Sequence, residues 1–382
     1  MPILVQKHVR VLLTAGGTGG HIYPVLGVHD YLKRVGDGEI DISFAGQIKG
    51  FEADFEDRYI KVYPILPSKM RRYLDVGNII DVPTFIISIF QALVWLYVAM
   101  PDVVFSKGGP GTVPVVFAAW FYRIPVLIHE SDAVPGVTNV ISARFARRIG
   151  VSFQSALSAF SSSKVFISGN PLRSNLMEDL VDQVSAKHYF GFRPEEPLLL
   201  ILGGSQGSLR INTFILDSLG ELLPRAQVLH QVGRAHVASI QEVLQITLRS
   251  LSEEVRGKYL LKDYLSSKDM KIALNAADVV IARSGAGTIF ELAAFGKPAI
   301  LIPLKESAND HQRANAYEYA ATGAALILEE ENLKVHILLS EVEKMLHKQT
   351  AISMAAVAEG FAKPKAAEIV GKEILKLVGV SV

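Results

Sequence analysis

Two α/β domains, each a doubly wound parallel sheet flanked by helices, are the fold the sequence predicts. Three observations carry it. Short apolar runs alternate with longer helical stretches, the pattern of parallel strands joined by crossover helices. The alternation starts twice, each time with an apolar run that ends in glycines: LLTAGGTGGHIYP at 12–24 and LLILGGSQGS at 199–208. The chain has 382 residues, of which 49% are apolar, too many for one ordinary core. Strands covered on both faces give such a composition.

In the first half, strands are expected at 9–15, 40–45, 62–65, 103–106, 126–129 and 149–151. A further strand and a Gly-Asn-Pro turn at 164–173 (KVFISGNPLR) read as the hinge into the second half. There the strands are expected at 198–202, 227–231, 259–261, 279–282, 299–303 and 325–328, followed by a helical tail from 335. The domains are expected at 1–168 and 169–355, packed face to face around a cleft. A terminal helix at 356–382 would cross back onto the first.

Residues 84–100 (TFIISIFQALVWLYVAM) carry no charge. They are at the short end of a membrane span. Asp81 and Pro83 before them and Pro101-Asp102 after them favour a helix buried between two strands, with a membrane-surface helix as the alternative. The apolar run after Met1 is short and soon meets Lys7, His8 and Arg10, so no secretory leader is expected. A net charge of +1 argues against nucleic acid as a partner. With no cysteine, disulfides and thiolate metal sites are excluded.

Four polar constellations follow strands. The first is Gly16-Gly17-Thr18-Gly19-Gly20-His21. Its glycines let a ligand approach the main chain, and the helix start behind them suits an anion. It is neither a strict G-x-G-x-x-G nor a Walker sequence, and Ala45-Gly46 stand where a dinucleotide site needs an acid. His21 lies where the helix dipole disfavours the imidazolium. A neutral imidazole is what a general base requires; the alternative is a histidine that merely closes the glycine turn. The second constellation is Gly203-Gly204-Ser205-Gln206-Gly207-Ser208, a phosphate cradle by the same physics, with Ser205 and Ser208 as hydroxyl donors, or else a purely structural turn.

The third is Arg283-Ser284-Gly285-Ala286-Gly287-Thr288-Ile289-Phe290-Glu291. Ser284 or Thr288 can cap the helix. Glu291 either accepts the two hydroxyls of a ribose or closes a capping box with Thr288. The fourth, 309–315 (NDHQRAN), offers Gln312 and Asn315, amides that both donate and accept, to sugar hydroxyls; the alternative is a solvated helix start. His129-Glu130-Ser131-Asp132 also ends a strand, but it lacks a second ligand cluster and is a poor metal site. No D-x-D sequence is present, so no metal or cofactor is expected and helix N-termini would have to offset a diphosphate. A basic and aromatic group runs through the first half: Lys69, Arg71, Arg72 and Tyr73; Phe85, Ile86, Ile89 and Phe90; Trp120, Phe121, Tyr122 and Arg123; Arg144, Arg147 and Arg148. It reads as a face for an anionic membrane, or as scattered charge over core aromatics.

Taken in order, GGTGGHIYP (16–24), SKGG (106–109), HES (129–131), PGVTN (135–139), GNPLR (169–173), GGSQGS (203–208), HQVG (230–233), RSGAGTIFELAAFGKPAILIP (283–303) and DHQRANA (310–316) resemble the MurG family over nearly the whole chain. The resemblance implies the GT-B fold, two Rossmann-like domains. It implies an inverting transfer of N-acetylglucosamine from UDP-GlcNAc to the C4 hydroxyl of the N-acetylmuramyl residue of lipid I, which makes lipid II for peptidoglycan. The enzyme would be peripheral on the cytoplasmic face of the plasma membrane, with cell-wall synthesis proteins as further partners. His21 then matches the family's loop histidine near the acceptor. Thr18, Gly19, Gly20, Gly108, Gly109 and Asn139 fall on the acceptor side. Arg173, Ser205, Gln206, Gly207, Ser284, Gly285 and Thr288 fall on the donor side, with Leu265 at a main-chain contact to uracil, Glu291 on the ribose and Gln312 on the sugar.

Two departures lie in the acceptor half. The family string HEQN is here His129-Glu130-Ser131-Asp132, so Asp132 becomes a second candidate base or an orienter of His21. The family loop GGFVS or GGYVS is here Gly108-Gly109-Pro110-Gly111-Thr112. Rival readings are a glycolipid synthase acting on diacylglycerol, a UDP-GlcNAc epimerase that needs no acceptor, and a non-catalytic sugar-nucleotide binding protein.

Overall fold

A computed structural model describes residues 8–67, 78–173, 176–204, 207–249 and 251–380. It divides into two compact units. The first comprises residues 1–174 and 363–382, the second 175–362.

The first unit holds a seven-stranded, all-parallel sheet in the order β3-β2-β1-β4-β5-β6-β7. Its strands are β1 (Val9–Ala15), β2 (Ile40–Gly46), β3 (Lys61–Tyr63), β4 (Val103–Ser106), β5 (Val126–Glu130), β6 (Arg148–Val151) and β7 (Val165–Ile167). The second unit holds a six-stranded parallel sheet in the order β10-β9-β8-β11-β12-β13. These are β8 (Leu198–Leu202), β9 (Gln227–Gln231), β10 (Tyr259–Lys262), β11 (Val279–Ala282), β12 (Ala299–Leu301) and β13 (Ala325–Ile327). Leu198 to Leu202 are all buried, because helices cover both faces of the sheet; a run without polar alternation is what such a strand requires. In both sheets the strand order reverses beside the first strand, between β1 and β4 and between β8 and β11. Open α/β sheets bind ligands at the C-terminal edge of such a switch point.

The expected boundaries at 168/169 and 355/356 both shift toward the C-terminus, to 174/175 and 362/363. Residues 169–173 stay with the first unit because Gly27 leaves room for the Leu172 carbonyl, which would lie 2.3 Å from a Cβ there. Arg173 also lies 4.2 Å over the Tyr23 ring. The helix Lys348–Phe361 stays with the second unit because Phe361 packs at 5.3 Å on Phe290 and 5.0 Å on Tyr319. The return therefore begins at Lys363. The last helix, Ala366–Leu377, buries Val370, Ile374 and Leu375 in the first unit. Gly371 meets Tyr31 there, where a Cβ would stand 2.3 Å from the ring.

Residues 84–100 correct the burial expected of them. Residues 84–99 belong to the helix Asn78–Ala99, which buries Ser88, Ala92 and Leu96 and exposes Ile86, Ile87, Phe90, Val94, Tyr97 and Val98. Trp120, Phe121 and Tyr122 are exposed as well, and Tyr122 Oη donates to the Leu93 carbonyl at 3.2 Å, joining the two groups. No helix among the described residues is long and apolar enough to cross a membrane. Arg123, Arg144 and Arg147 are exposed. Arg148 leaves the proposed basic face: Nε pairs with Glu373 at 3.1 Å and the guanidinium covers Phe166 at 5.0 Å. Lys69, Arg71, Arg72 and Tyr73 lie outside the described residues.

Candidate active site

Three segments meet at the C-terminal edge of the first sheet. The glycine loop after β1 and the loop after β4 touch main chain to main chain. Gly16 N–H donates to the Gly108 carbonyl at 2.8 Å, and a Cβ on Gly109 would stand 2.9 Å from Gly16 Cα and 3.1 Å from His21 Nε2. Gly108 and Gly109 have φ of +79° and +91°, a region that favours glycine. A Cβ on Gly108 would also collide with the Asn139 amide at 2.5 Å. Close approach and left-handed backbone together explain the glycine pair.

His21 lies in the first turn of the helix Gly19–Gly36, half-buried, with Gly19 buried and Thr18 and Gly20 exposed at the loop surface. Thr18 is at the N-cap position but makes no capping bond. Its hydroxyl instead meets His21 Nδ1 at 2.8 Å. That contact orients the ring and leaves Nε2 at the Gly109 side of the loop junction.

The third segment follows β5. Glu130 is buried and its carboxylate accepts the main-chain N–H of Asp132 and of Gly136 and the amide of Asn139, each at 2.9 Å. Burial raises its pKa, as does the neighbouring Asp132 charge. Asn139, expected at an acceptor diphosphate, is itself buried and donates inward to Glu130 and, at 3.1 Å, to the His129 carbonyl. Its amide donors shape the loop rather than face a ligand. His129 is buried on Ser168 and the Gly169 carbonyl, both 3.0 Å from Nε2, and burial holds it neutral.

In the second unit, Gly207 and Ser208 follow β8, Ser284, Gly285, Thr288 and Glu291 follow β11, Leu265 follows β10 and Gln312 follows β12. Gly207 has φ of +78°, and a Cβ there would stand 2.2 Å from the Val232 carbonyl oxygen. The oxygen of Ser208, whose hydroxyl is expected to donate to a ligand, accepts two internal bonds. It caps the helix Leu209–Leu222 by accepting Ile211 N–H at 3.4 Å, and it receives Arg283 Nη2 at 2.7 Å. Ser205 and Gln206 lie outside the described residues.

The helix Ala286–Ala294 begins at Gly285 with no side-chain cap, so the capping reading of Ser284, Thr288 and Glu291 falls. The Ser284 hydroxyl donates to the Gln312 carbonyl at 2.7 Å, and Asn315 donates back to the Ser284 carbonyl at 3.2 Å, tying two expected segments together. Gln312 spends its amide oxygen on Leu304 N–H at 3.1 Å. One lone pair of that oxygen is thus taken up within the loop. Thr288 is half-buried and Glu291 buried, a turn inside the helix. Leu265 is buried in the core beside Tyr264, whose ring carries Arg234 at 4.6 Å; only its main chain suits a base contact. Arg173 belongs to the first unit, where its guanidinium lies 4.2 Å over the Tyr23 ring.

Sequence reasoning passed over the residue that braces these loops. Arg283 is buried, donates to Ser208 and to the Ile302 carbonyl at 3.1 Å, and pairs with buried Glu330 at 2.5 Å. Arg210 completes the pair from outside at 3.0 Å. Among the described residues no group of three or more His, Cys, Asp or Glu is placed to hold a metal ion.

The glycosyltransferase family 28 N-terminal domain matches residues 11–151, and the family's C-terminal domain matches residues 198–370. A Clostridium kluyveri relative is named UDP-N-acetylglucosamine–N-acetylmuramyl-(pentapeptide) pyrophosphoryl-undecaprenol N-acetylglucosamine transferase. It is 35% identical over 347 residues, 90% of this chain and 93% of its own length. A Bacillus anthracis relative with the same name, numbered 2, is 35% identical over 350 residues, 91% of this chain and 94% of its own. The crystal structure of Acinetobacter baumannii MurG superposes with a TM-score of 0.71 at 27% identity, covering 96% of this chain and 99% of that one. A UDP-GlcNAc 2-epimerase from Neisseria meningitidis superposes with a TM-score of 0.69 at 16% identity, covering 96% and 100%, a likeness of fold alone. With both domains matched in order and relatives alike over nine-tenths of its length, the chain belongs to glycosyltransferase family 28, among the MurG transferases.

Proposed function

We propose that the protein transfers N-acetylglucosamine from UDP-GlcNAc to the C4 hydroxyl of the N-acetylmuramyl residue in undecaprenyl-pyrophosphoryl-linked lipid I, giving lipid II. The observation that carries this reading is His21, oriented by Thr18 where two glycine loops touch at a sheet switch point, in a family 28 chain. With Nδ1–H donating to Thr18, Nε2 holds the lone pair that removes the proton of the acceptor hydroxyl. The oxygen attacks the anomeric carbon, the bond to UDP breaks, and the configuration inverts. The second unit holds the donor: the main chain of Gly203, Gly204 and Gly207 and the uncapped start of Ala286–Ala294 at the diphosphate, Glu291 at the ribose, and Gln312 at the sugar. Positive helix ends there offset the charge of departing UDP, without calling on a metal or cofactor.

The test is transfer of labelled GlcNAc to a short-chain lipid I analogue, with diacylglycerol and no-acceptor arms. Product with the lipid I analogue alone supports the reading. Product with diacylglycerol makes the enzyme a glycolipid synthase, and conversion without acceptor makes it an epimerase.

The apolar face of Asn78–Ala99 with Trp120 and Phe121 docks the enzyme on an anionic membrane, at the cytoplasmic side where UDP-sugars are made. Burying one phenylalanine is worth about 2 kcal/mol, roughly a 30-fold change in partitioning. Phe90→Asp is therefore expected to reduce co-sedimentation with phosphatidylglycerol vesicles at least tenfold, while transfer to the short-chain acceptor persists. Unchanged sedimentation removes this face as the docking surface.

A further inference from the structure

Lys107 follows Ser106, the last residue of β4, inside the first unit and is 1% exposed. A lysine is almost never buried to this degree unless something balances it. Here its ammonium donates to the Ser131 hydroxyl, and the charges that favour its protonated form are Glu130 and Asp132. Burial pulls its pKa down to about 8 against those two carboxylates. The same ammonium, together with burial, keeps His129 neutral. One cation, two carboxylates and an imidazole thus occupy the space between the ends of β4 and β5.

This cluster is continuous with the loop junction at His21. Glu130 receives the amide of Asn139 at 2.9 Å. Asn139 lies against the α-carbon of Gly108, and the neighbouring Thr138 hydroxyl accepts Gly109 N–H at 3.3 Å. Gly109 in turn abuts Gly16 and the His21 ring. From Glu130 to His21 every link is a contact between named atoms, and Lys107 enters the chain through its bond to Ser131, the residue between Glu130 and Asp132.

We propose that Lys107 is a positioning residue for the transfer reaction: its buried ammonium ties Ser131 and balances the Glu130 and Asp132 carboxylates, so that segment 130–139 holds the Gly108-Gly109 loop against His21. The proposal rests on the transferase reading and deepens it. It assigns to Asp132, which replaces an asparagine of the family string, a countercharge in the segment that follows the adjacent strand. The ammonium, bonded to Ser131, feels the charges of Glu130 and Asp132 on either side of that serine, and a double-mutant cycle of Lys107 and Asp132 measures how far the two charges are coupled.

The experiment compares wild type, Lys107→Met, Asp132→Asn and the double variant. Each is measured for kcat, for KM of UDP-GlcNAc, and for Kd of the short-chain lipid I analogue without donor. The Kd measurement needs no turnover, so the cycle closes even where Asp132→Asn is catalytically dead. Lys107→Met is expected to weaken acceptor binding or kcat at least tenfold, with the donor KM within about twofold. In the Asp132→Asn background the same replacement is expected to cost less than threefold. A merely structural lysine predicts equal losses in both backgrounds, and that result overturns the proposal. So does an effect confined to the donor KM, no effect at all, or failure of both Lys107 variants to fold. A folded double variant beside an unfolded Lys107→Met supports it. Absence of transfer by the wild type strikes the transferase reading instead, and additive variants of an active wild type strike only Lys107.

Discussion

Replacing His21 by alanine is expected to lower kcat by a factor on the order of 10²–10⁴, the usual contribution of a positioned general base. The KM for UDP-GlcNAc should stay within about twofold, because the donor loops and His21 belong to different units. Geometry singles out this side chain. Its Nδ1 is engaged by Thr18 at 2.8 Å, and its Nε2 faces the α-carbon of Gly109. That glycine keeps open the space a Cβ would take beside the ring. Thr18→Val keeps the imidazole and removes only its orienting bond, so it should cost a smaller factor in kcat, about tenfold. The ordering matters more than either number. If His21→Ala leaves kcat unchanged, the base lies elsewhere, and Asp132→Asn becomes the decisive variant. If Thr18→Val costs as much as His21→Ala, the threonine acts on substrate directly and not through the ring.

The strands and glycine loops were legible because both obey local rules. Doubly covered parallel strands must be apolar at every position, and Leu198 to Leu202 are so throughout. A chain that must approach a neighbour closely needs glycine, and Gly108, Gly109 and Gly207 stand at such approaches. What the sequence concealed depends on burial. Lys107 and Arg283 are written with the same letters as solvated lysines and arginines, and only the packing of β4 against β5 and of β11 against β8 makes them internal. The helix Asn78–Ala99 is apolar around most of its circumference, so no charged stripe marked the side it would expose. Arg148 read as a free surface cation because its partner Glu373 lies far along the chain, in the helix that returns to the first unit. Ser208 and Gln312 also serve their own loops, the oxygen of each accepting main-chain or side-chain N–H groups, which residue type alone does not reveal.

The second large effect is expected at Gly207. Its φ of +78° alone costs an alanine roughly 1–2 kcal/mol. The new methyl would also stand 2.2 Å from the Val232 carbonyl oxygen, 2.9 Å from His236 and 3.0 Å from Gly233 Cα. That carbonyl has little freedom to retreat. It accepts the Asn212 amide at 2.9 Å, and the main chain on either side is fixed by Val232 N–H to the Lys262 carbonyl at 2.9 Å and Gly233 N–H to the Asp263 carbonyl at 3.0 Å. The loop must therefore move, and with it the N–H groups that would meet the donor diphosphate. Gly204 is the control within the same turn. Its φ is +87°, but nothing lies within 4 Å of the Cβ position, so Gly204→Ala bears the backbone cost alone, about 1 kcal/mol. Calorimetric titration with UDP should show at least a 100-fold loss of affinity in Gly207→Ala and at most tenfold in Gly204→Ala, with both melting curves recorded. Equal losses would mean that backbone conformation, not the close approach to Val232, governs the loop. Wild-type affinity in Gly207→Ala would remove the 203–207 turn from the donor site and leave the helix start at Gly285 as the sole anion-binding element of the second unit.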